Sequence, residues 1–132
     1  MKNETFLLDT HALVYWVSKD FVSAQFIEFL DKQSRYGNLF VSSISFWEMA
    51  LLCKKKRLFI EDLKSWVFDV IRFSNIHLID PSYEQMIASV HLPDFHKDPF
   101  DRLLISQAIN SRHTFVTKDK EICKYELKTF WM

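Results

Sequence analysis

The chain has 132 residues, of which 48% are hydrophobic and 26% are charged, a composition typical of one globular domain over residues 1–132. Its 17 basic and 17 acidic side chains cancel, which disfavours a nucleic-acid coat protein or a simple basic binding module. The longest apolar stretch, residues 12–17, is too short to cross a bilayer, and the amino terminus lacks the pattern of a signal peptide. We therefore expect a cytoplasmic protein without a membrane partner, whose Cys53 and Cys123 are reduced thiols.

The chain alternates between short apolar runs, typical of buried strands, and longer stretches with apolar side chains at helical spacing. In chain order we predict a strand at 5–8, helices at 10–18 and 23–33, a strand at 39–42, a helix from 45 that ends in the basic run 54–57, a helix at 60–73, a strand at 76–79, helices at 82–90 and 99–111, a strand at 114–117, a helical turn at 118–122 and an edge strand at 127–130. This order predicts a three-layer α/β/α fold with a central, mainly parallel sheet of four to five strands.

Two helix starts carry capping signals. Ser45 and Glu48 have the spacing of a capping box, which predicts a helix that begins at Ser45. Asp98 is followed by Pro99 and, at the third helical position, by Asp101. An acid, a proline and a second acid in these positions predict a helix that begins at Pro99.

Four acidic side chains lie where a predicted strand gives way to a helix, and they are Asp9, Glu48, Asp101 and Asp119. The carboxyl ends of parallel strands meet along one edge of a sheet, and ligands of open α/β sheets bind there. Clustered carboxylates repel one another unless a cation joins them. Because oxygen-only ligands favour a hard divalent ion, we predict a site for Mg²⁺ or Mn²⁺.

Each acid also has a purely structural alternative. Asp9 and Asp98 could cap helices, Glu48 could be the partner in its capping box, Asp101 could favour the positive end of a helix dipole, and Asp119 could start a turn. Ser, Thr or Asn would cap equally well, so an acid at every junction favours the metal site. Asp98 is the better cap and Asp101 the better ligand, and Asp98 is therefore predicted to support the site.

With these residues assembled, the chain resembles a PIN domain and, more narrowly, the VapC-type toxin ribonucleases of toxin–antitoxin pairs. The resemblance covers nearly the whole chain. It depends on residues 7–13 (LLDTHAL), 41–50 (VSSISFWEMA), 97–108 (KDPFDRLLISQA) and 115–119 (FVTKD), of which the third segment is the most specific. The run Lys54 to Arg57 departs from the pattern, since relatives commonly have a glycine near this bend.

The resemblance implies endonucleolytic hydrolysis of RNA that depends on Mg²⁺ or Mn²⁺ and leaves a 5′-phosphate and a 3′-hydroxyl. The implied catalytic residues and metal ligands are Asp9, Glu48, Asp101 and Asp119. The implied supporting hydroxyl groups are those of Thr10, Ser43 and Thr117. The resemblance also implies a homodimer and a tight protein inhibitor, the antitoxin, a segment of which covers the acidic pocket.

Basic side chains near these segments predict a surface for the RNA backbone, formed by Lys54, Lys55, Lys56, Arg57, Lys97, Arg102, Lys118 and Lys120. The run 54–57 could also be a solvated helix end, and Arg102 could pair with Asp98, four residues earlier. We expect His11, His96 and His113 to be structural or exposed. The apolar side chains predicted to face the inhibitor or a second copy, with core packing as the alternative, are Phe46, Trp47, Leu51 and Leu52.

Other readings of the acids remain. A phosphatase of the haloacid dehalogenase type needs a second acid two positions after Asp9, where this chain has His11. A phosphorylation-dependent receiver domain needs paired acids after the first strand and a later lysine, and neither is clear. Among PIN domains, a nuclease of RNA processing outside a toxin–antitoxin pair stays open. A non-catalytic binding module also stays open, but the presence of all four acids disfavours it.

Overall fold

A computed structural model describes residues 4–132 of the chain. Its elements are β1 (Phe6–Leu8), α1 (Thr10–Ser18), α2 (Ala24–Arg35), β2 (Leu39–Ser42), α3 (Ser43–Lys54), α4 (Leu63–Phe73), β3 (His77–Ile79), α5 (Tyr83–Val90), α6 (Pro99–Ser111), β4 (Thr114–Val116), a 3₁₀ turn (Ile122–Lys124) and β5 (Thr129–Phe130). The predicted three-layer α/β/α arrangement is confirmed. Among the described residues, no helix is long and apolar enough to span a bilayer.

The sheet has five strands in the order β3-β2-β1-β4-β5, and each neighbouring pair is parallel. β1 lies at the centre, where Leu7 is in register with Phe40 of β2 and with Phe115 of β4. All three residues of β1 and of β4 are buried, as a strand covered by helices on both faces requires. The carboxyl ends of all five strands therefore lie along one edge of the sheet.

Side chains of β1 alternate between two hydrophobic cores, one on each face of the sheet. Phe6 and Leu8 pack in the core that also contains Leu13 of α1 and Phe26 of α2. Leu7, between them, points into the opposite core with residues of α6, β4 and the 3₁₀ turn. This period of two is the geometry of an extended strand, and it fixes which helices cover which face.

Most helix starts follow the local capping chemistry. The side chain of Ser23 accepts a hydrogen bond from Phe26 N at the start of α2, and Ser82 forms a complete capping box with Gln85 at the start of α5. Asp98 caps α6 with Pro99 in its first turn, as predicted. α4 starts later than predicted, at Leu63, because Asp62 accepts from Ser65 N and defines its first turn.

The predicted capping box at the start of α3 is wrong. β2 runs directly into this helix, whose N-cap is Ser42, and Ser42 Oγ accepts a hydrogen bond from Ile44 N at 3.3 Å. Ser45 is therefore already inside the helix, and Glu48 lies three residues further along it. Both side chains are buried. Because Ser42 is the cap, the carboxylate of Glu48 has no capping role, and it accepts a hydrogen bond from Thr10 of α1 instead.

Gly37 forms the predicted turn into β2 with a φ of 73°, a left-handed conformation that glycine adopts without steric cost. At the end of α3, Lys56 has a φ of 59°, so a lysine occupies the kind of position for which glycine is preferred. The predicted helical turn at 118–122 is displaced to the 3₁₀ turn, and the predicted edge strand is confirmed at Thr129–Phe130.

Candidate metal site

The loops and helix starts at the carboxyl edge of the sheet gather acidic side chains into one pocket of about 410 Å³. Asp9 directly follows β1 and caps α1, and its Oδ1 accepts a 2.7 Å hydrogen bond from Ala12 N. Asp101 lies in the first turn of α6, and Asp119 follows β4. All three line the pocket, together with Thr117.

Glu48 reaches the same region from α3 and is held by a hydroxyl group of α1. Thr10 donates a 2.5 Å hydrogen bond to Glu48 Oε1, and its own oxygen lies 3.1 Å from Ser45 Oγ. All three side chains are buried. Sequence reasoning named Thr10 and Ser43 as supporting hydroxyl groups, but the serine in contact with Thr10 is Ser45, because α3 begins two residues earlier than the capping box predicted.

The side chain of Asp98 supports the pocket through the backbone of α6. Its Oδ1 accepts hydrogen bonds from Phe100 N at 2.8 Å and from Asp101 N at 3.5 Å. The cap fixes the first turn of the helix and with it the position of Asp101. Thr117 has a comparable role after β4, because its hydroxyl accepts from Asp119 N at 3.1 Å.

His96 stands between two of the acids, which sequence reasoning missed. Its Nε2 lies 3.0 Å from Asp119 Oδ2 and 3.1 Å from Asp101 Oδ2. One atom of each of these three side chains lies within 4.8 Å of the others, a spacing that could hold a metal ion. The one signal in the sequence that could have indicated this role is the position of His96, two residues before the capping Asp98. Periodicity does not predict which way the side chain of a loop residue points.

The acids raise one another's proton affinity. Burial, and then the charges of Asp98, Glu48, Asp9 and Asp119, raise the pKa of Asp101 to about 8. Burial also raises the pKa of Asp9, against the hydrogen bonds from Thr117 and Ala12 N. The pKa of Glu48 is raised in the same way, chiefly by burial, against the hydrogen bond from Thr10.

Among the described residues, these carboxylates form no close ion pair with a lysine or an arginine. Within residues 4–132, the nearest charge partner of Asp101 and Asp119 is His96, and no lysine or arginine nitrogen lies within 4.0 Å of the four acids. Buried carboxylates that lack a cation are costly unless they are protonated or a cation is supplied. A cluster of hard oxygen donors with uncompensated charge fits a divalent ion such as Mg²⁺ or Mn²⁺.

One basic side chain lines the pocket. The Lys118 ammonium lies 5.1 Å from the ring centroid of Tyr15 and 5.9 Å from that of Trp131, both within range of a cation–π contact. The exposed His11 also lines the pocket. The basic run from Lys54 to Arg57 is exposed at the end of α3, and Lys97 and Lys120 are exposed as well.

The prediction that Arg102 contacts RNA is wrong. Its side chain is buried, and its guanidinium donates to backbone carbonyls of the segment 89–96, among them Leu92 O at 2.7 Å and His96 O at 2.9 Å. It forms no pair with Asp98 and lies 3.6 Å from the exposed Asp94. A guanidinium carries five donors in a fixed fork and no acceptor, so a loop with several unpaired carbonyls captures it.

Of the remaining side chains singled out in the sequence, some pack in the interior and others lie at the surface. His113 is buried and structural, since its ring packs 4.5 Å from Phe40 and its Nδ1 lies 2.7 Å from Thr5 Oγ1. Trp47 is 60% exposed and meets Phe100 edge-on at 5.2 Å. Phe46 packs against the core, and Leu51 and Leu52 are half-buried.

Fold and site together define a parallel α/β/α protein with an acidic pocket at the carboxyl edge of its sheet, whose side chains could hold a metal ion. The family model of the PIN domain matches residues 6–128. The chain therefore belongs to the PIN domain family, and its predicted resemblance to VapC-type members is confirmed. It is 31% identical over 124 residues to Ribonuclease VapC22 of Mycobacterium tuberculosis, a match that covers 89% of each chain.

Solved structures show the same fold. The chain is similar, with a TM-score of 0.73 and 23% identity, to VapBC2 from Rickettsia felis bound to a DNA fragment from its promoter, over 97% of this chain and 99% of that one. It is also similar to DNA-bound VapBC from Salmonella typhimurium, with a TM-score of 0.71 and 14% identity over 97% and 98% of the two chains. At these identities the similarity shows the fold alone.

Proposed function

We propose that the protein is a metal-dependent endoribonuclease that hydrolyses RNA phosphodiester bonds and acts as the toxin of a type II toxin–antitoxin pair. The observation that carries this proposal is the group of carboxylates at the carboxyl edge of the sheet, whose pKa values are raised and which, among the described residues, have no lysine or arginine nitrogen within 4.0 Å. The 31% identity to a protein named a ribonuclease supports RNA as the substrate.

In this proposal Asp9 and Asp101 hold the principal ion, and Glu48 and Asp119 complete its surroundings, hold a second ion or orient the attacking water. A bound Mg²⁺ or Mn²⁺ would supply charge to the scissile phosphate and acidify a water molecule, and the products would carry a 5′-phosphate and a 3′-hydroxyl. Phosphodiester cleavage depends mainly on charge stabilisation of this kind, which an assembly of acids alone does not supply.

The protein's own contribution is to hold the acids in place before the substrate arrives. Thr10 fixes the direction of Glu48, and Thr117 fixes the loop that carries Asp119. Asp98 fixes the turn that carries Asp101. Fixed carboxylates reduce the reorganisation required when charge develops on the phosphate, which is the basis of electrostatic catalysis.

RNA would approach the pocket over basic side chains. Lys118 lines the pocket itself, and the exposed basic run from Lys54 to Arg57, with Lys97 and Lys120, would contact phosphates further along the strand. Each phosphate contact made by a cation adds to the salt dependence of binding. Replacing Lys55 and Lys56 by Ser should therefore flatten the logarithmic salt slope of RNA binding by about 1.4, whereas an unchanged slope would put the RNA elsewhere.

Two protein partners are part of the proposal. VapBC complexes among similar solved structures support a cognate antitoxin, a segment of which would cover the acidic pocket, and a homodimer is the expected assembly. The exposed Trp47 is a candidate contact for either partner, because aromatic side chains are enriched in the surfaces that become buried at protein interfaces. A PIN nuclease of RNA processing would lack the antitoxin. A small neighbouring reading frame whose product silences the activity separates the two.

Cleavage of RNA by purified protein tests the activity. Wild type should cleave in Mg²⁺ or Mn²⁺ and not in EDTA, and Asp9→Asn and Asp101→Asn should lower the rate to background while the fold survives. Asp69→Asn is the matched control, since it removes an exposed carboxylate of α4 that makes none of the site's contacts. Wild-type rates in Asp9→Asn, or cleavage that continues in EDTA, would refute the proposal.

The ends of the cleaved RNA test the chemistry. After brief induction of the wild type in a host cell, sequencing of RNA ends should reveal new 5′-phosphate ends that are absent after induction of Asp9→Asn. A 2′,3′-cyclic phosphate at the new ends would contradict attack by water. The same data identify the RNA and the cleavage sequence.

A further inference from the structure

The two ring nitrogens of His96 contact different kinds of group, a backbone N–H on one side and carboxylates on the other. On one side, Asp98 N donates a 3.1 Å hydrogen bond to His96 Nδ1. On the other side, His96 Nε2 lies 3.0 Å from Asp119 Oδ2, with which it hydrogen-bonds, and 3.1 Å from Asp101 Oδ2. A backbone N–H can only donate, so Nδ1 must act as the acceptor, and the two nitrogens of the ring have different roles.

These contacts define the tautomer of the imidazole. Because Nδ1 accepts a hydrogen bond from Asp98 N, it presents a lone pair and carries no proton. The neutral ring therefore has its proton on Nε2, where it points towards the carboxylates of Asp101 and Asp119. To bind a metal ion through Nε2, the ring would have to move this proton to Nδ1, where it would face the N–H of Asp98.

The backbone of His96 is fixed by two further side chains. Its N–H donates to the hydroxyl of Tyr125 at 2.9 Å, and its carbonyl accepts from Arg102 Nη1 at 2.9 Å. The Tyr125 hydroxyl in turn donates to Pro93 O at 2.6 Å, and Arg102 Nη1 also donates to that oxygen. Tyr125 and Arg102 are both buried, so the loop that carries His96 is anchored to the interior of the protein.

We propose that His96 is a positioning residue of the metal site: it donates a hydrogen bond from Nε2 that holds the carboxylate of Asp119 beside that of Asp101, and it does not itself bind the ion. The two acids come from separate elements, the first turn of α6 and the loop after β4, and repel each other. A hydrogen-bond donor between them offsets that repulsion. It also fixes the positions of the carboxylate oxygens that do not contact His96 and that would bind the ion. This inference depends on the proposed metal-dependent function.

In this proposal Arg102 also supports the two acids, although it acts on them only through the loop that carries His96. Arg102 holds the loop, the loop holds His96, and His96 holds the two carboxylates. Carboxylates that bind a metal are commonly fixed by hydrogen bonds of this kind, and loss of such a donor lowers metal affinity about 10- to 100-fold. A basic side chain that sequence reasoning assigned to RNA would thus serve the acidic pocket through the backbone.

Nuclear magnetic resonance of the metal-free protein tests the tautomer directly. A long-range ¹H–¹⁵N spectrum of ¹⁵N-labelled wild type, recorded at a pH at which the His96 ring is neutral, should place the ring proton on Nε2, and His96→Gln identifies the signal by its loss. A proton on Nδ1 of the neutral ring would overturn the proposal. This readout requires neither metal nor RNA.

Binding of Mn²⁺ tests the positioning role with three variants. His96→Ala should weaken Mn²⁺ binding about 10- to 100-fold, and His96→Gln, whose amide N–H can replace the Nε2 donor, should restore most of the affinity. His91→Ala is the control, because it removes an exposed histidine just before the same loop. Unchanged affinity in His96→Ala overturns the proposal.

Electron spin-echo spectroscopy of Mn²⁺ bound to wild type distinguishes a ligand from a donor. The proposal expects no directly coordinated imidazole nitrogen, and a strong ¹⁴N coupling that His96→Gln abolishes would overturn it. Wild type that binds no Mn²⁺ at all would instead contradict the proposed function, and the role of His96 towards the ion would fall with it. The two failures are therefore distinguishable.

Discussion

The hydroxyl of Thr10 donates a 2.5 Å hydrogen bond to Glu48 Oε1, and this contact joins the first residue of α1 to a carboxylate inside α3. Thr10 directly follows Asp9, so the junction between β1 and α1 provides one acid and fixes the direction of a second. Both partners of the bond are buried, where a carboxylate needs such a donor. The site is therefore assembled by the packing of these two helices as well as by the strand ends.

We expect Thr10→Val to weaken the site without unfolding the protein. The valine keeps the shape of the side chain but leaves the buried Glu48 without its donor, which raises the pKa of Glu48 further and lowers the free energy of unfolding by about 1–2 kcal/mol. Mg²⁺ affinity and cleavage rate should fall, and Thr10→Ser should retain both. Calorimetric metal titration and urea unfolding measure the effect, and equal values for Thr10→Val and wild type would contradict it.

The raised pKa of Asp101 predicts how the stability of the metal-free protein depends on pH. The folded protein keeps this proton up to about pH 8, whereas the unfolded chain releases it near the ordinary value of 3.8. The unfolded chain thus binds fewer protons between these values, so the stability falls as the pH rises from about 4 to about 8. The loss is on the order of 2–5 kcal/mol.

Asp101→Asn tests this dependence, because the amide cannot ionise. Urea unfolding in EDTA at pH 5 and pH 8 should give a smaller difference for Asp101→Asn than for wild type, and the variant should be the more stable protein at pH 8. Adding Mg²⁺ at pH 8 should raise the melting temperature of wild type more than that of the variant. Identical pH profiles for the two proteins would show that Asp101 is not the group responsible.

Arg102 should be important for stability and should not contribute to RNA affinity through direct contact. Arg102→Met leaves several loop carbonyls without their buried donor, and we expect a loss of about 3–5 kcal/mol in the free energy of unfolding. Arg102→Lys should recover only part of it, because an ammonium lacks the planar fork. Arg57→Met, at an exposed site, should change the value by about 0.5 kcal/mol or less. Denaturant unfolding measures all three, and a loss no larger than that of Arg57→Met would contradict the buried role.

Lys118 should be the basic residue of the pocket that RNA contacts most directly. We expect Lys118→Gln to weaken the binding of a single-stranded RNA several-fold and to reduce the logarithmic salt slope by about 0.7. Lys64→Gln, which removes an exposed lysine of α4, is the control and should leave the slope unchanged. Fluorescence anisotropy in EDTA at several salt concentrations, where cleavage is absent, gives both values. An equal slope for Lys118→Gln and wild type would exclude the contact.

Much of the fold was predictable from local patterns. The buried run that became β1, the N-cap at Ser23 and the cap at Asp98 each depend on neighbours within a few residues, and all three are confirmed. The predicted start of α3 is wrong because two local capping signals compete there. Ser42 caps α3 in preference to Ser45 because β2 ends there and leaves no residue between strand and helix.

The candidate site was predictable as far as the parallel sheet determines it. The alternation of elements implied a parallel sheet, which brings the strand ends to one edge, and the structure shows that Asp9 and Asp119 follow strands that are neighbours in it. Asp101 shares the pocket with both. Their roles as metal ligands stay a prediction until the variants are measured.

What the sequence alone determined is the order of strands and helices along the chain and the acids at the starts of α1 and α6, because both depend on periodicity and capping over short distances. Only the tertiary structure decided where the long polar side chains of the loop before α6 went. Arg102 turned inwards to unpaired carbonyls and His96 turned towards two carboxylates, since each found its partners in segments that come together only when the chain is packed. Hydrogen-bonding demands of buried groups are satisfied across the whole fold, and no local pattern records them.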